Sequence, residues 1–475
     1  MDEQPRRGVS RRGILQAGLV AAAGVGAGVG AGGWPAADAA SRPGSVRSRV
    51  RKPGSLPYPH LPEGTDTIPQ IRHIIVLMME NHSYDNKFGM LQRPGADGFT
   101  LGTDGLPLAT NRYANGNYQH AFHMPTTCQL SGFPSQTWQD SHIQYNKGKN
   151  DGFVKSGSGP VSMGYWDGTD QPFYYSMASV FPIGDRYFCS VLGQTYPNRR
   201  YLISATSLGM VDDSIPNVNA YPKNGTIFDK LDNAKVSWKD YYSTSSTLEL
   251  YPKLFFRWVK KRAVPIGHPA TSTKAATGFF ADAAAGKLPG FSLLEPNFDT
   301  QSEEDPQNIA VGEQFAASVI NAVMSSPSWP HTLLIWNYDE HGGYYDHVPP
   351  PAALAPDDIR PMPPKGQHHY TGFHQYGFRV PMAVVSPWAK ADYVSHQVMD
   401  HTSVLALAEH KWNLPAMTYR DANAWPMLDM VDLSERTFLK PPTLTAPLLD
   451  TDPSANACST TGPGTIPPPG SVTPG

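Results

Sequence analysis

The sequence predicts an α/β fold with a mainly parallel central sheet flanked by helices. Three observations carry this. Two continuous apolar runs, Ile74 to Met79 and Thr332 to Tyr338, have the length of strands buried on both faces, as parallel strands are. Between them, residues 226–242 read as a helix and then a strand, an ordinary βαβ rhythm. The 43 glycines and 46 prolines call for long connections rather than a helical bundle.

Length and composition set bounds. The 475 residues suffice for one large α/β domain or two ordinary ones. A formal net charge of −3 argues against a charge-dominated polyanion binder, so no nucleic-acid partner is expected. Cys128, Cys189 and Cys458 are too few for a disulfide framework; an exported chain could form one bridge and leave one thiol free.

Residues 1–40 have the layout of an export signal. A twin-arginine pair, Arg11-Arg12, precedes an Ala/Gly/Val-rich stretch from Leu19 to Gly33, and Ala37-Asp38-Ala39 offers a small-residue cleavage site. The stretch is too glycine-rich and weakly apolar for a membrane anchor, so no transmembrane segment is expected in the mature chain. The twin-arginine export machinery would be the partner in transit. Residues 41–68 are basic and proline-rich and read as a linker. Residues 69–440 then form the folded domain, in which residues 95–135 read as a long ordered loop over the site. Residues 441–475, rich in Pro, Thr, Gly and Ser, read as a disordered tail.

Both apolar runs end in acids. The first stops at Glu80-Asn81-His82, and the second at Asp339-Glu340-His341-Gly342-Gly343, followed by Asp346-His347. In open α/β sheets the ligand crevice lies beyond the carboxyl ends of the strands. Three carboxylates and two histidines within nine residues would repel as a plain turn, and a bound cation would relieve that repulsion. Glu80, Asn81, Asp339 and Glu340 are therefore candidate oxygen ligands for a divalent cation.

Between the two strands, Trp138, Ser141, His142 and Tyr145 recur at helical spacing; His142 either faces the crevice or is an ordinary buried histidine. The segment Gly193-Gln194-Thr195-Tyr196-Pro197-Asn198-Arg199-Arg200 reads as a helix start, because Pro197 suits a first turn. Thr195 then lies at the mouth of that helix, where free N–H groups favour an anion. It is either a plain cap or a nucleophile poised toward phosphorus. Phe255 to Ala263 is basic and aromatic, fit for lipid head groups or simply a solvated helix face. A helix is expected over Ile309 to Met324. A further buried strand spans Val380 to Pro387, and Asp400 caps a helix ending at Trp412. Ser386 and His401 either line the crevice or serve as a strand end and a helix cap.

These parts support a two-step phosphoryl transfer. Thr195 takes the phosphoryl group and water then releases it. His142 and His347 are the candidate proton carriers. His341, Asp346, Asn198 and Arg199 complete the candidate set as substrate-binding residues.

Taken together, MENHSYD, HIQYNKGKNDGF, GQTYPNRR, YDEHGGYYDHVPPP and DHTSVL resemble the bacterial phosphoesterase family that includes non-haemolytic-type phospholipases C and respiratory-burst-inhibiting acid phosphatases. The resemblance covers Ile71 to Met430. It implies an alkaline-phosphatase-like core and a metal held by Glu80, Asn81, Asp339 and Glu340. It also implies a Ser or Thr nucleophile, here Thr195, and twin-arginine export. Two departures stand out: many members have a histidine where this chain reads Glu303-Glu304-Asp305, and another where it has Gln136. The missing imidazoles bear on leaving-group protonation and on the substrate. The expectation is an exported phosphoesterase of phospholipase C type acting on a phosphate ester, with phospholipid as the substrate class. The alternatives are an acid phosphatase or a non-catalytic exported metal-binding protein.

Overall fold

Both apolar runs are strands, and they lie side by side in one sheet. In the computed structural model, residues 50–129 and 132–449 are described, together with Cys458 and Pro468; the export segment expected over residues 1–40 lies outside them. The main sheet comprises β1 (His73–Met79), β2 (Ile183–Gly184), β3 (Trp238–Tyr242), β4 (Ala263–Pro265), β5 (Phe291–Leu294), β6 (Thr332–Tyr338), β7 (Met382–Val385) and β8 (Val394–Ser395), in the order β8-β2-β7-β6-β1-β5-β3-β4. Only β7 runs against the rest: it pairs antiparallel with β6 and β2, while every other pairing is parallel. The fold is α/β with a mostly parallel sheet.

All of β6 and all of β1 except His73 are buried, so helices and loops cover both faces, as an unbroken apolar strand requires. The Ile309–Met324 helix has the expected bounds and buries Phe315, Val319, Ile320 and Val323 in the same core as the strands. Thr226 caps the helix Ile227–Asn233 through a capping box with Asp229. The strand after it begins at Trp238, because Lys235 adopts φ +58° and ends the turn between helix and strand.

The segments expected to be loose have partners. From Val50 onward the basic, proline-rich stretch bonds to residues 411–423: Gly54 N–H donates to Ala416 O, Tyr58 N–H to Asn413 Oδ1 and Thr67 N–H to Lys411 O. A solvated linker would leave those groups to water. Beyond Pro441, Thr445 N–H donates to Ser176 Oγ, the Gln314 amide donates to Leu448 O, and Cys458 is disulfide-bonded to Cys128, leaving Cys189 free and buried. The loop region over residues 95–135 carries a small hairpin, Thr110–Arg112 with Tyr118–His120.

Candidate active site

Strand register brings the acids together. Met79 pairs with Tyr338 in parallel, so Glu80 and Asp339 leave the sheet at the same height on neighbouring strands. Leu294 pairs with Leu77 on the other side of β1, so Glu295 becomes a third acidic strand tip. The two loops beyond β1 and β6 then press together. Asn81 takes a left-handed φ of +66°, and its N–H donates to Asp339 Oδ1 at 3.2 Å. A Cβ on Gly342 would meet Asn81 O at 1.8 Å, so only glycine permits this approach.

The Thr195–Ser204 helix supplies the countercharge. Arg199 is buried: its Nε donates to Asp339 Oδ2 at 3.1 Å, one terminal nitrogen donates to Glu295 Oε2 at 2.7 Å, and the other lies 3.3 Å from Glu80 Oε1. Burial works against the guanidinium, but these three carboxylates prevail and hold it charged. Burial, then the charge of Asp339, push Glu80 and Glu340 well above the usual carboxylate range.

Thr195 begins this helix, and Gln194 before it is extended. Asn198 fixes that turn. Its Oδ1 accepts the N–H groups of Ser190 and Val191, and its Nδ2 donates to the carbonyls of Gly193 and Gln194 at 3.0 Å. Its polar atoms are thus spent on backbone. The helix mouth already holds a carboxylate: Asp213 Oδ1 accepts Tyr196 N–H at 2.7 Å, and Gln194 Nε2 donates to Asp213 Oδ2. Burial, with the nearby charges of Asp339 and Glu304, lifts Asp213 to about 7 despite the Tyr196 N–H.

Thr195, Glu80 and Arg199 line one cavity of about 270 Å³, together with Asp213, Thr247 and Glu304. Asp339, Glu340 and Asn81 do not line it; they are buried. His401 is buried too: its Nε2 donates to Asp339 O at 2.6 Å and its Nδ1 accepts from Tyr187 OH. Ser386 is at the far end of the sheet, bonded to Thr332 O, because β7 is antiparallel and its carboxyl end points away from the crevice.

The histidines fall into two places. His341 Nε2 donates to Gln144 Oε1 at 2.7 Å, and burial lowers its pKa to about 3, so its Nδ1 is a bare acceptor 3.4 Å from Glu340 Oε2. His142 does not line the cavity. It stacks on Tyr370 with centroids 3.9 Å apart, donates Nδ1–H to Trp138 O, and is held neutral by burial, at about 4. His347 and Asp346 belong to an ion network with Asp85, Asp97 and Arg379. Burial disfavours charge on His347, but Asp85 and Asp97 outweigh it and push it up to about 10.

Do the residues fit a cation? Asn81 Oδ1, Glu340 Oε1 and His341 Nδ1 are buried acceptors with no hydrogen-bond donor. Each such group is costly unless something positive satisfies it. The donors at the strand tips are hard oxygens, as a divalent cation of the magnesium or calcium kind requires. Among the described residues, the tightest acid/histidine groupings lie elsewhere: Asp85, Asp346 and His347, already neutralised by Arg379, and His123, Asp167 and Asp170. The strand-tip set fits a cation through its orphaned acceptors rather than as a closed cage.

Glu295, Asp213 and Glu249 escaped the sequence reading, and Glu304 was noted there only as a departure from the family pattern. Glu295 carried a signal, because its strand runs into a polar end; Asp213 sits in a loop and Glu249 in the short 3-10 helix Thr247–Leu250, whose placement over the crevice the sequence does not give. Glu304 occupies the segment where the resemblance expects histidine.

The chain is 31% identical over 439 residues to phospholipase C B of Mycobacterium tuberculosis, covering 82% of this chain and 81% of that protein. It is 31% identical over 389 residues to non-specific phospholipase C1 of Arabidopsis thaliana, covering 75% and 69%. A solved protein of the alkaline phosphatase superfamily from Vibrio parahaemolyticus aligns over 78% of this chain and 73% of its own, at 9% identity and a TM-score of 0.38. Residues 71–415 match the model of the Phosphoesterase family, and the chain belongs to that family of phosphoric-ester hydrolases.

Proposed function

We propose that the chain is an exported, metal-dependent phosphoesterase of phospholipase C type that works through a phosphorylated Thr195. One observation carries this: Thr195, at a helix mouth, opens on the same cavity as Glu80 and Arg199. The Thr195 hydroxyl attacks phosphorus and its proton passes to a cavity carboxylate, made more basic by burial. Asp213, at about 7, is a proton source for the leaving alcohol, a role that neither His142 nor His347 is placed to fill from outside the cavity. Water then releases the phosphoryl group from Thr195. A divalent cation held by Glu80, Asn81, Asp339 and Glu340 would neutralise phosphoryl oxygens and acidify the hydroxyl. Asn198 holds the turn of the nucleophile in place, and Arg199 holds the acids together while presenting the cation of the cavity to the substrate.

The lining favours a diester over a monoester. Glu80, Asp213, Glu249 and Glu304 face a cavity with Arg199 as its cation. A monoester dianion meets more repulsion there than a diester monoanion whose head group is cationic. The phosphomonoesterase reading remains the alternative. Export is supported by the disulfide, which suits an oxidising compartment. Among the described residues no helix is long and apolar enough to cross a membrane.

The test is Thr195→Ala, assayed on phosphatidylcholine and on a chromogenic monoester. Turnover should fall at least about a thousandfold with the fold unchanged. Acid-quenched wild type given phosphate-labelled substrate should carry label on Thr195. Retained turnover in the variant ends the nucleophile assignment, and preference for the monoester favours the phosphatase reading.

A further inference from the structure

Beside the catalytic cavity lies a second, larger groove of about 490 Å³, with which it shares Tyr196, Asp213, Glu249 and Leu250. Its outer wall is apolar and unusually exposed. Ile215, in the loop after the Thr195–Ser204 helix, is 94% exposed, and Phe256, on the helix Pro252–Trp258, is 74% exposed. With Val218, 59% exposed, they line this one groove and so form a contiguous apolar patch rather than scattered single side chains. The ground around Phe256 is basic: Lys253 lies three residues before it, one helical turn away, and Arg257, Lys260 and Lys261 follow, all exposed.

From this we infer that the groove and its rim are the docking surface for a lipid bilayer. Ile215 and Phe256 enter the acyl boundary, the lysines meet anionic head groups, and the groove takes the glycerol end of the substrate lipid. The inference rests on the phospholipase C reading and deepens it. Two facts favour a lipid over another occupant. The surface is continuous with the catalytic cavity, which at about 270 Å³ holds a phosphorylated head group but not the diacyl part of a lipid. Apolar tips within a basic rim also match the layered chemistry of an anionic membrane surface.

The test is the double variant Ile215→Asp/Phe256→Asp. Both positions are exposed and outside the catalytic cavity, so the fold and the chemistry should survive. Flotation with phosphatidylcholine vesicles containing phosphatidylglycerol should fall about tenfold or more, and hydrolysis of vesicle lipid should fall with it. Turnover of a soluble chromogenic phosphocholine ester should stay within about twofold. Undiminished flotation of the variant, or an equal loss on soluble and vesicle substrates, overturns the inference. Wild type that cleaves the soluble ester but does not float overturns it while leaving the proposed function standing. Wild type that floats through this patch yet cleaves no phosphoester does the reverse.

Discussion

In the proposed mechanism Asp213, a residue outside every motif, sets the pH behaviour of the enzyme. Its carboxyl sits on the Tyr196 N–H and faces the catalytic cavity, where burial and the charges of Asp339 and Glu304 raise it to about 7. A proton donor works only while protonated, so turnover should be highest below about 7 and decline as pH rises through that value. Asp213→Asn keeps an acceptor for Tyr196 but carries no exchangeable acid proton. The variant should lose most of its turnover at pH 6, and the alkaline decline should vanish from its kcat profile. A decline near 7 that persists in Asp213→Asn would assign the titration to another group. Arg199 acts differently at this scale: it lines the cavity and also keeps Glu80, Glu295 and Asp339 from repelling one another.

At the level of elements, the strands were the most legible part of the sequence. An apolar run with no polar interruption has one stable placement, inside a covered sheet, and β1 and β6 follow their runs closely. The acids that end them could therefore be read as one rim. What the sequence could not give was strand direction. Ser386 follows an apolar run as Glu80 does, yet β7 is antiparallel and delivers it to the opposite end. Nor could it tell which polar side chains are spent on holding the turn before Thr195, the proposed nucleophile. Asn198 lies one helical turn from Thr195, as a ligand contact would, but its amide joins Ser190, Val191, Gly193 and Gln194 into one rigid turn. Asn198→Ala leaves buried N–H groups without an acceptor and should cost about 2–4 kcal/mol of stability. The loosened turn should lower kcat far more than it raises KM, because substrate binding does not use the amide. Thermal denaturation and steady-state kinetics on one preparation measure both effects.

For the whole molecule, the question is what binds the long, proline-rich ends of the chain to the catalytic body. Composition marks such ends as loose, since they lack an apolar period and so cannot build a core of their own. Composition does not register partners supplied from elsewhere. Val50 to Ile68 is stitched to residues 411–423 by backbone hydrogen bonds, and the far end is fastened by the bond from Cys458 to Cys128. That cross-link spans 330 residues of sequence, so it removes much of the freedom of the unfolded chain. Neither cysteine lines the catalytic cavity. Cys458→Ser should therefore lower stability by about 2–4 kcal/mol while kcat on a soluble ester stays unchanged. Reductant should lower the wild-type melting temperature toward that of the variant and leave the variant's own value where it was. If the variant instead loses activity at a temperature where it is fully folded, the tail reaches the site, and the bond would have to be counted among the parts that shape catalysis.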